Sequence, residues 1–210
     1  MAIAKVIDRF RGLLLVIFLA LMSGCGGDTP RLPRLATDAV LLAFGDSLTF
    51  GTGASGERSY PAVLATLIEH EVVRSGVPGE LSRAGLARLP EVLDRVHPAV
   101  LLLCHGGNDL LRKQPVQQLR ENLAAMIAAA RERSVAVVLI GVPQPTVFNL
   151  QTADVYRQVA TAADVPLVED ALADILGDQS LKSDTVHPNA RGYEKLAQAV
   201  ADLLKEAGAL

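Results

Sequence analysis

From Ala39 onward, short apolar runs alternate with stretches whose apolar residues recur every three or four positions. The first pattern predicts buried strands and the second amphipathic helices. Ala39-Val40-Leu41-Leu42-Ala43-Phe44 opens the series, apolar on both faces and so unsuited to an edge in water. Tyr60 to Ile68 reads as a helix, with Ser59 as N-cap and Pro61 in its first turn. Glu71-Val72-Val73 is a short second strand. Leu86, Leu89, Leu93 and Val96 mark one helical face, with Pro90 limiting how early that helix can begin. Val100 to Cys104 predicts a third strand, Val116 to Arg133 a long helix and Val135 to Ile140 a fourth strand. Asp154 to Ala163 is helical, Pro166 to Val168 a weak fifth strand, and Ala171 to Leu176 a short helix. An amphipathic helix from Ala190 to about Leu204 closes the pattern.

Buried strands alternating with helices imply right-handed crossovers, hence a parallel sheet covered on both faces. The expected fold class is α/β, a three-layer α/β/α arrangement with a flavodoxin-like parallel sheet of about five strands. With 210 residues and no internal repeat, residues 39–210 predict one domain with a sizeable core. Ligands in such sheets gather beyond the carboxyl ends of the strands. Ser47 follows the first strand, Gly76 to Gly79 the second and Asn108 the third.

The N-terminus follows another pattern. Lys5, Arg9 and Arg11 precede Leu13 to Met22, an apolar run of ten residues. That is short of the roughly 20 a spanning helix needs, and reads instead as a cleaved targeting signal over residues 1–24. Ser23-Gly24-Cys25 at its end resembles a bacterial lipobox, with Met22 where leucine is usual. The resemblance implies cleavage before Cys25 and acylation of that residue; the alternative is an ordinary secretory signal with an incidental cysteine. Residues 26–38 are rich in Gly and Pro, lack an apolar period and read as a flexible tether. Together these predict a cell-envelope, lipid-anchored, periplasm-facing protein, and Gly26 after Cys25 resembles lipoproteins sorted to an outer membrane where one exists. Loss of residues 1–24 takes the net charge from −3 to −5, so the anchor is not electrostatic attraction to anionic lipid. The absence of a basic stripe argues against nucleic acid as a partner. Of the two cysteines, a lipidated Cys25 leaves Cys104 without a disulfide partner. Cys104 follows three leucines and reads as a small buried hydrophobe. A nucleophilic Cys104 beside His105 is the weaker alternative, because adjacent strand residues point to opposite faces.

Three segments carry the chemistry: Gly45-Asp46-Ser47-Leu48, Gly106-Gly107-Asn108-Asp109 and Asp184-Thr185-Val186-His187-Pro188. A serine hydroxyl is a weak nucleophile and needs a base within hydrogen-bond reach. Asp184 stands three residues before His187, a spacing that lets the carboxylate meet Nδ1 and leaves Nε2 for Ser47. Charge developing on a carbonyl oxygen needs donors fixed beforehand. The Ser47 N–H, the N–H of Gly79 and the Asn108 carboxamide are the candidates. Singly, each segment also reads as an ordinary turn or a capped helix entry; jointly, in order and at strand ends, they describe a nucleophile, base, orienter and oxyanion site. His70, His97 and His105 lack metal-ligand spacing, so neither metal nor cofactor is expected. His97-Pro98 is expected to end a helix and His105 to line the strand end near the site. Thr49 stands where a nucleophile elbow would need glycine, which argues against the α/β-hydrolase fold.

Gly45-Asp46-Ser47-Leu48-Thr49, Gly85-Leu86-Ala87-Arg88-Leu89-Pro90, Gly106-Gly107-Asn108-Asp109-Leu110 and Asp184 to Pro188 resemble the sequence blocks of the GDSL, or SGNH, hydrolases. Within that group they resemble the thioesterase I/lysophospholipase L1 and arylesterase branch. The resemblance covers about residue 39 to the C-terminus and implies the SGNH hydrolase fold. It gives Ser47, Gly79, Asn108 and His187 the four named roles, with Asp184 completing the triad. It fails at Arg74, in Val73-Arg74-Ser75-Gly76-Val77-Pro78-Gly79, where the family usually has an asparagine bracing the oxyanion loop. An arginine cannot accept hydrogen bonds, and Pro78 is the alternative source of stiffness.

The implied activity is hydrolysis of small-molecule or lipid esters and thioesters by a monomer, through an acyl-Ser47 intermediate. Leu110, Leu111 and Pro143, the last in a Val142-Pro143-Gln144-Pro145 loop, are expected to line an acyl groove. Two rivals remain: an envelope glycan acetylesterase with the same triad, and a non-catalytic lipoprotein binding lipid or a partner. The lack of Trp and the three Tyr offer little surface for stacking sugars. A histidine base must be neutral, so hydrolysis should fall below about pH 6.5, whereas binding need not.

Overall fold

The computed structural model describes residues 29–145 and 150–210; the expected signal, Cys25 and residues 26–28 lie outside the described residues. The elements run β1 (Val40–Gly45), α1 (Ser47–Phe50), α2 (Tyr60–Ile68), β2 (Glu71–Gly76), α3 (Ser82–Val96), β3 (Val100–Cys104), α4 (Gly107–Leu111) and α5 (Val116–Arg131). Then follow β4 (Ala136–Ile140), β5 (Pro143–Pro145), β6 (Leu150–Thr152), α6 (Asp154–Ala163), β7 (Leu167–Val168), α7 (Ala171–Gly177) and α8 (Ala190–Glu206).

Five strands form one parallel sheet in the order β2-β1-β3-β4-β7. The chain first moves outward from β1 to β2, then reverses and crosses to β3, β4 and β7. Right-handed crossovers put helices on opposite faces when the direction reverses. Accordingly α2 packs with α8 on one side, and α3 with α5 and α6 on the other. Covered twice, β3 is buried at every residue and β1 at all but its first. The reversal also leaves a crevice at the carboxyl ends of β1 and β3, and Ser47 and Asn108 follow those two strands.

Several elements differ from expectation. β2 continues three residues past Val73, because Arg74, Ser75 and Gly76 pair with Ala43, Phe44 and Gly45 of β1. α3 begins at Ser82 and runs through Pro90 rather than starting near it. An interior proline costs about 3 kcal/mol; here the burial of Gly85, Leu89, Val92 and Leu93 and an external cap on Ser82 hold both halves in line. Ser59 sits at the N-cap position of α2, yet its hydroxyl donates to Gly56 O at 2.6 Å instead. The expected loop at Val142–Pro145 contributes β5, which pairs antiparallel with β6.

Of the stretch read as a flexible tether, the described part is docked: the Thr29 hydroxyl and the Arg31 guanidinium donate to Glu206 at the end of α8. Leu32 N–H donates to Ala207 O at 3.0 Å and Leu35 N–H to Ala209 O at 2.8 Å, while both leucines pack on the core. The end of α8 leaves carbonyls without intrahelical donors, and this segment supplies them. Two leucines among prolines were too sparse to show an apolar period.

Candidate active site

β1 ends at Gly45, where a Cβ would lie 1.8 Å from the Cys104 carbonyl oxygen, so only glycine lets β1 and β3 converge here. Asp46 then caps α1, its carboxylate accepting the Leu48 N–H at 3.1 Å, and Ser47 becomes the first residue of that short helix. Burial pushes the Asp46 carboxyl above its ordinary value, partly offset by His105 and the N–H groups of Leu48 and Gly107.

Far along the chain, Asp184 Oδ1 accepts the N–H groups of Val186 and His187, both at 2.8 Å, folding 184–187 into a tight loop. Asp184 Oδ2 meets His187 Nδ1 at 2.7 Å, and His187 Nε2 lies 2.9 Å from Ser47 Oγ. Ser183 N–H donates to His187 O at 2.9 Å, and Asn189 caps α8, so both flanks of the loop are pinned. Burial works to raise the Asp184 carboxyl, but hydrogen bonds from His187 and from the Val186 and His187 N–H groups outweigh it and leave it below the usual range.

Val77-Pro78-Gly79-Glu80 forms a turn closed by Glu80 N–H on Val77 O at 3.1 Å, with Gly79 at φ +78°. Proline second and a positive-φ glycine third is the pattern of a type II turn; Pro78 thus supplies stiffness in the loop. Among the described residues, the N–H groups of Gly79 and Ser47 find no partner, leaving both free to donate. Asn108, carried by α4, donates through Nδ2 to Glu80 O at 3.1 Å and contacts Asp46 Oδ2 at 3.4 Å. The second contact is long for a hydrogen bond, so that N–H can turn toward an oxyanion. Gly106, at φ +109°, starts the tight turn that aims the side chain.

Ser47, Gly79, Asn108 and His187 open on one cleft of about 550 Å³. All three residues expected in the groove, Leu110, Leu111 and Pro143, line it, together with Leu48, Val116, Val142 and Leu176. Leu111 and Val116 are exposed at 58% and 47%, so the apolar wall reaches solvent.

Sequence reading missed what lies behind the cleft. Arg88 on α3 holds Glu80, the residue after Gly79, through Nε at 2.8 Å. His105, expected at the strand end near the site, sits there fully buried and bonds Glu80 Oε2 at 3.1 Å. Asp109 turns to the start of α3, accepting Ser82 N–H at 2.8 Å and Ser82 Oγ–H at 2.6 Å. A negative charge there suits the helix dipole. The available signal was Arg88 itself: a charge spaced three and four residues from Gly85 and Val92 on the buried face of α3. Arg74 points away from the oxyanion turn, donating to Phe50 O at 2.9 Å. Cys104 is buried with its thiol pushed well above its ordinary value by that burial, which leaves it protonated and unreactive.

This geometry has counterparts. The family model described as GDSL-like Lipase/Acylhydrolase family matches residues 43–195. The esterase TesA of Pseudomonas aeruginosa is 31% identical over 195 residues, covering 88% of this chain and 96% of that protein. Thioesterase 1/protease 1/lysophospholipase L1 of Escherichia coli K12 is 30% identical over 179 residues, covering 82% and 86%. A crystal structure of TesA superposes with a TM-score of 0.72 at 29% identity, over 80% of this chain and 99% of that one. With its motifs at the ends of β1, β2 and β3 and a family match across most of its length, the chain belongs to the GDSL-like lipase/acylhydrolase family.

Proposed function

We propose that this carboxylic ester hydrolase uses Ser47 as nucleophile, His187 as base and Asp184 as the group that orients the base. The observation that carries the reading is the unbroken chain Asp184 Oδ2–His187 Nδ1, His187 Nε2–Ser47 Oγ, at 2.7 and 2.9 Å, opening on an apolar cleft. His187 takes the Ser47 proton as Oγ attacks the carbonyl carbon. The oxyanion is received by Ser47 N–H, Gly79 N–H and Asn108 Nδ2. The tetrahedral species collapses to acyl-Ser47 as His187 returns the proton to the departing alcohol or thiol. Water, deprotonated by the same imidazole, then repeats the sequence and frees the acid.

The cleft walls favour acyl chains over glycan acetates. Among the described residues lining the cleft there is no Phe, Tyr or Trp, and eight are Leu or Val. Similar proteins are named arylesterase and thioesterase 1/protease 1/lysophospholipase L1, which agrees with an acyl group recognised more closely than its leaving group. The test is hydrolysis of nitrophenyl acetate, butyrate and decanoate by residues 26–210 beside Ser47→Ala. Turnover abolished in the variant, with a preference for butyrate or decanoate, is expected. Equal turnover by both proteins overturns the triad, and a strict acetyl preference favours the glycan reading.

The reading extends to location: a monomer, lipidated on Cys25 and facing the periplasm. The docked segment then orients the domain. Thr29 and Arg31 bond Glu206 at the end of α8, and the four residues 25–28 could span at most about 14 Å even fully extended. His187 and the cleft lie at the other end of α8, whose 17 residues extend about 25 Å. In this reading the domain stands with the mouth away from its own membrane, and substrate arrives from the aqueous side. A vesicle assay decides this: protein coupled through Cys25 to a lipid should hydrolyse a soluble ester at full rate, and a lysophospholipid in those same vesicles slowly unless about 15 Gly/Ser residues are inserted after Cys25. Equal rates on the embedded lipid with and without the insertion would contradict this orientation.

A further inference from the structure

Behind the oxyanion turn lies an ionic cluster that the catalytic scheme does not use. The Arg88 guanidinium donates to Glu80 Oε1 and Oε2, through Nε at 2.8 and 3.0 Å and through Nη2 at 2.9 Å to Oε2. Its Nη1 donates to Ser75 Oγ at 2.8 Å, and Nη2 also reaches Gly45 O and Ser75 O, both at 3.1 Å. The guanidinium carbon stacks 3.9 Å from the centre of the Phe44 ring. His105 Nε2 closes the cluster on Glu80, whose side chain is only 8% exposed. Burial alone would raise the Glu80 carboxyl, yet His105 and Arg88 hold it below the usual range.

Each partner sits beside one oxyanion donor. Gly45 lies two residues before Ser47. Ser75 and Glu80 bracket the turn that presents Gly79. Glu80 O receives Asn108 Nδ2, and His105 leads into the turn that carries Asn108. We propose that Arg88 and Glu80 are the positioning residues of the oxyanion hole, referring its three donors to one guanidinium. This assigns to Arg88 and Ser75 the bracing that the family resemblance would give to an asparagine at position 74. The planar fork with several fixed donors is what the task requires; a lysine offers a point charge in its place.

His105 supports the same role. Its Nδ1 is buried and has no partner among the described residues, so an apolar side chain would pack there with less penalty. What the imidazole adds is the hydrogen bond that fixes Glu80. Gly85 makes room for it, since a Cβ there would lie 2.2 Å from His105 Nε2.

The proposal rests on the reading of Ser47 as nucleophile, and the experiment separates the two. Arg88→Lys and Glu80→Gln are compared with wild type, Ser47→Ala and Asn108→Ala on nitrophenyl butyrate, with near-UV circular dichroism reporting the fold. Arg88→Lys is expected to stay folded and lose about 10- to 100-fold in kcat, with KM within about twofold, as when oxyanion donors are misplaced. In the Asn108→Ala background the same change should cost less than about threefold, because both act on one device. Fully multiplicative losses, or an unchanged kcat, overturn the proposal. Should Arg88→Lys fail to fold, Glu80→Gln is judged by the same two criteria. Activity that survives Ser47→Ala defeats the catalytic reading, whereas activity that needs Ser47 but ignores Arg88 and Glu80 defeats only this one.

Discussion

Asp184 holds His187 twice: one carboxylate oxygen accepts the imidazole Nδ1–H at 2.7 Å, and the other accepts the backbone N–H of the same histidine at 2.8 Å. A single side chain thereby sets both the position of the residue and the tautomer of its ring. Asp184→Asn keeps a backbone acceptor but can turn an amide N–H toward Nδ1, favouring the wrong tautomer. kcat on nitrophenyl butyrate should fall about 10²- to 10⁴-fold with KM little changed. Initial-rate kinetics check this, and a loss below threefold would mean that His187 is oriented by its backbone alone.

The pH profile follows from the same pair. Because the Asp184 carboxyl is held below its ordinary value, it stays ionised as the pH falls toward the usual aspartate figure of about 3.9. Its hold on the loop is therefore complete above that figure and is lost only as the pH drops through the lowered folded value. Asp184 should therefore add no slope of its own to the acid limb of log kcat/KM above about pH 4.5. A slope of two within that window would show that Asp184 titrates there as well.

Leu111 is more than half exposed, at 58%, while lining the cleft, so it can be changed with little disturbance to the core. Leu111→Glu should leave acetyl ester turnover within about twofold and lower kcat/KM for decanoate about tenfold or more, from lost apolar contact of roughly 1.5 kcal/mol or more. Leu110, which packs partly on the core, should show the same selectivity with a larger loss of stability. Equal losses on acetate and decanoate at both positions would place the acyl chain elsewhere.

Residues 29–36 behave here as part of the domain. Deleting them removes the Leu32 and Leu35 bonds to the end of α8 and uncovers apolar surface, at a cost of about 1–3 kcal/mol. A urea titration should show a lower midpoint for a chain beginning at residue 37 than for one beginning at residue 26. Coincident transitions would return the segment to the role of a loose tether.

The sequence by itself determined whatever depends on neighbours a few residues away. Apolar runs specified the central strands β1, β3 and β4, since a strand covered on both faces must be apolar throughout. Asp184 and His187 were legible as a pair because three residues separate them, and Pro78-Gly79 already contained its turn. Only the tertiary structure decided the contacts between distant segments. Ser47 meets His187 across 140 positions because two carboxyl-end loops converge where the strand order reverses. Arg88 read as one polar residue on a helix until folding set it against the ends of β1 and β2, and α3 passed through Pro90 because its packing and the Asp109 cap outweighed a local rule. The docking of Leu32 and Leu35 had no periodicity to announce it, since their partners are backbone carbonyls at the end of a helix some 170 residues on. Local patterns encode which face is apolar; which distant groups that face meets is settled by the crossovers and by burial.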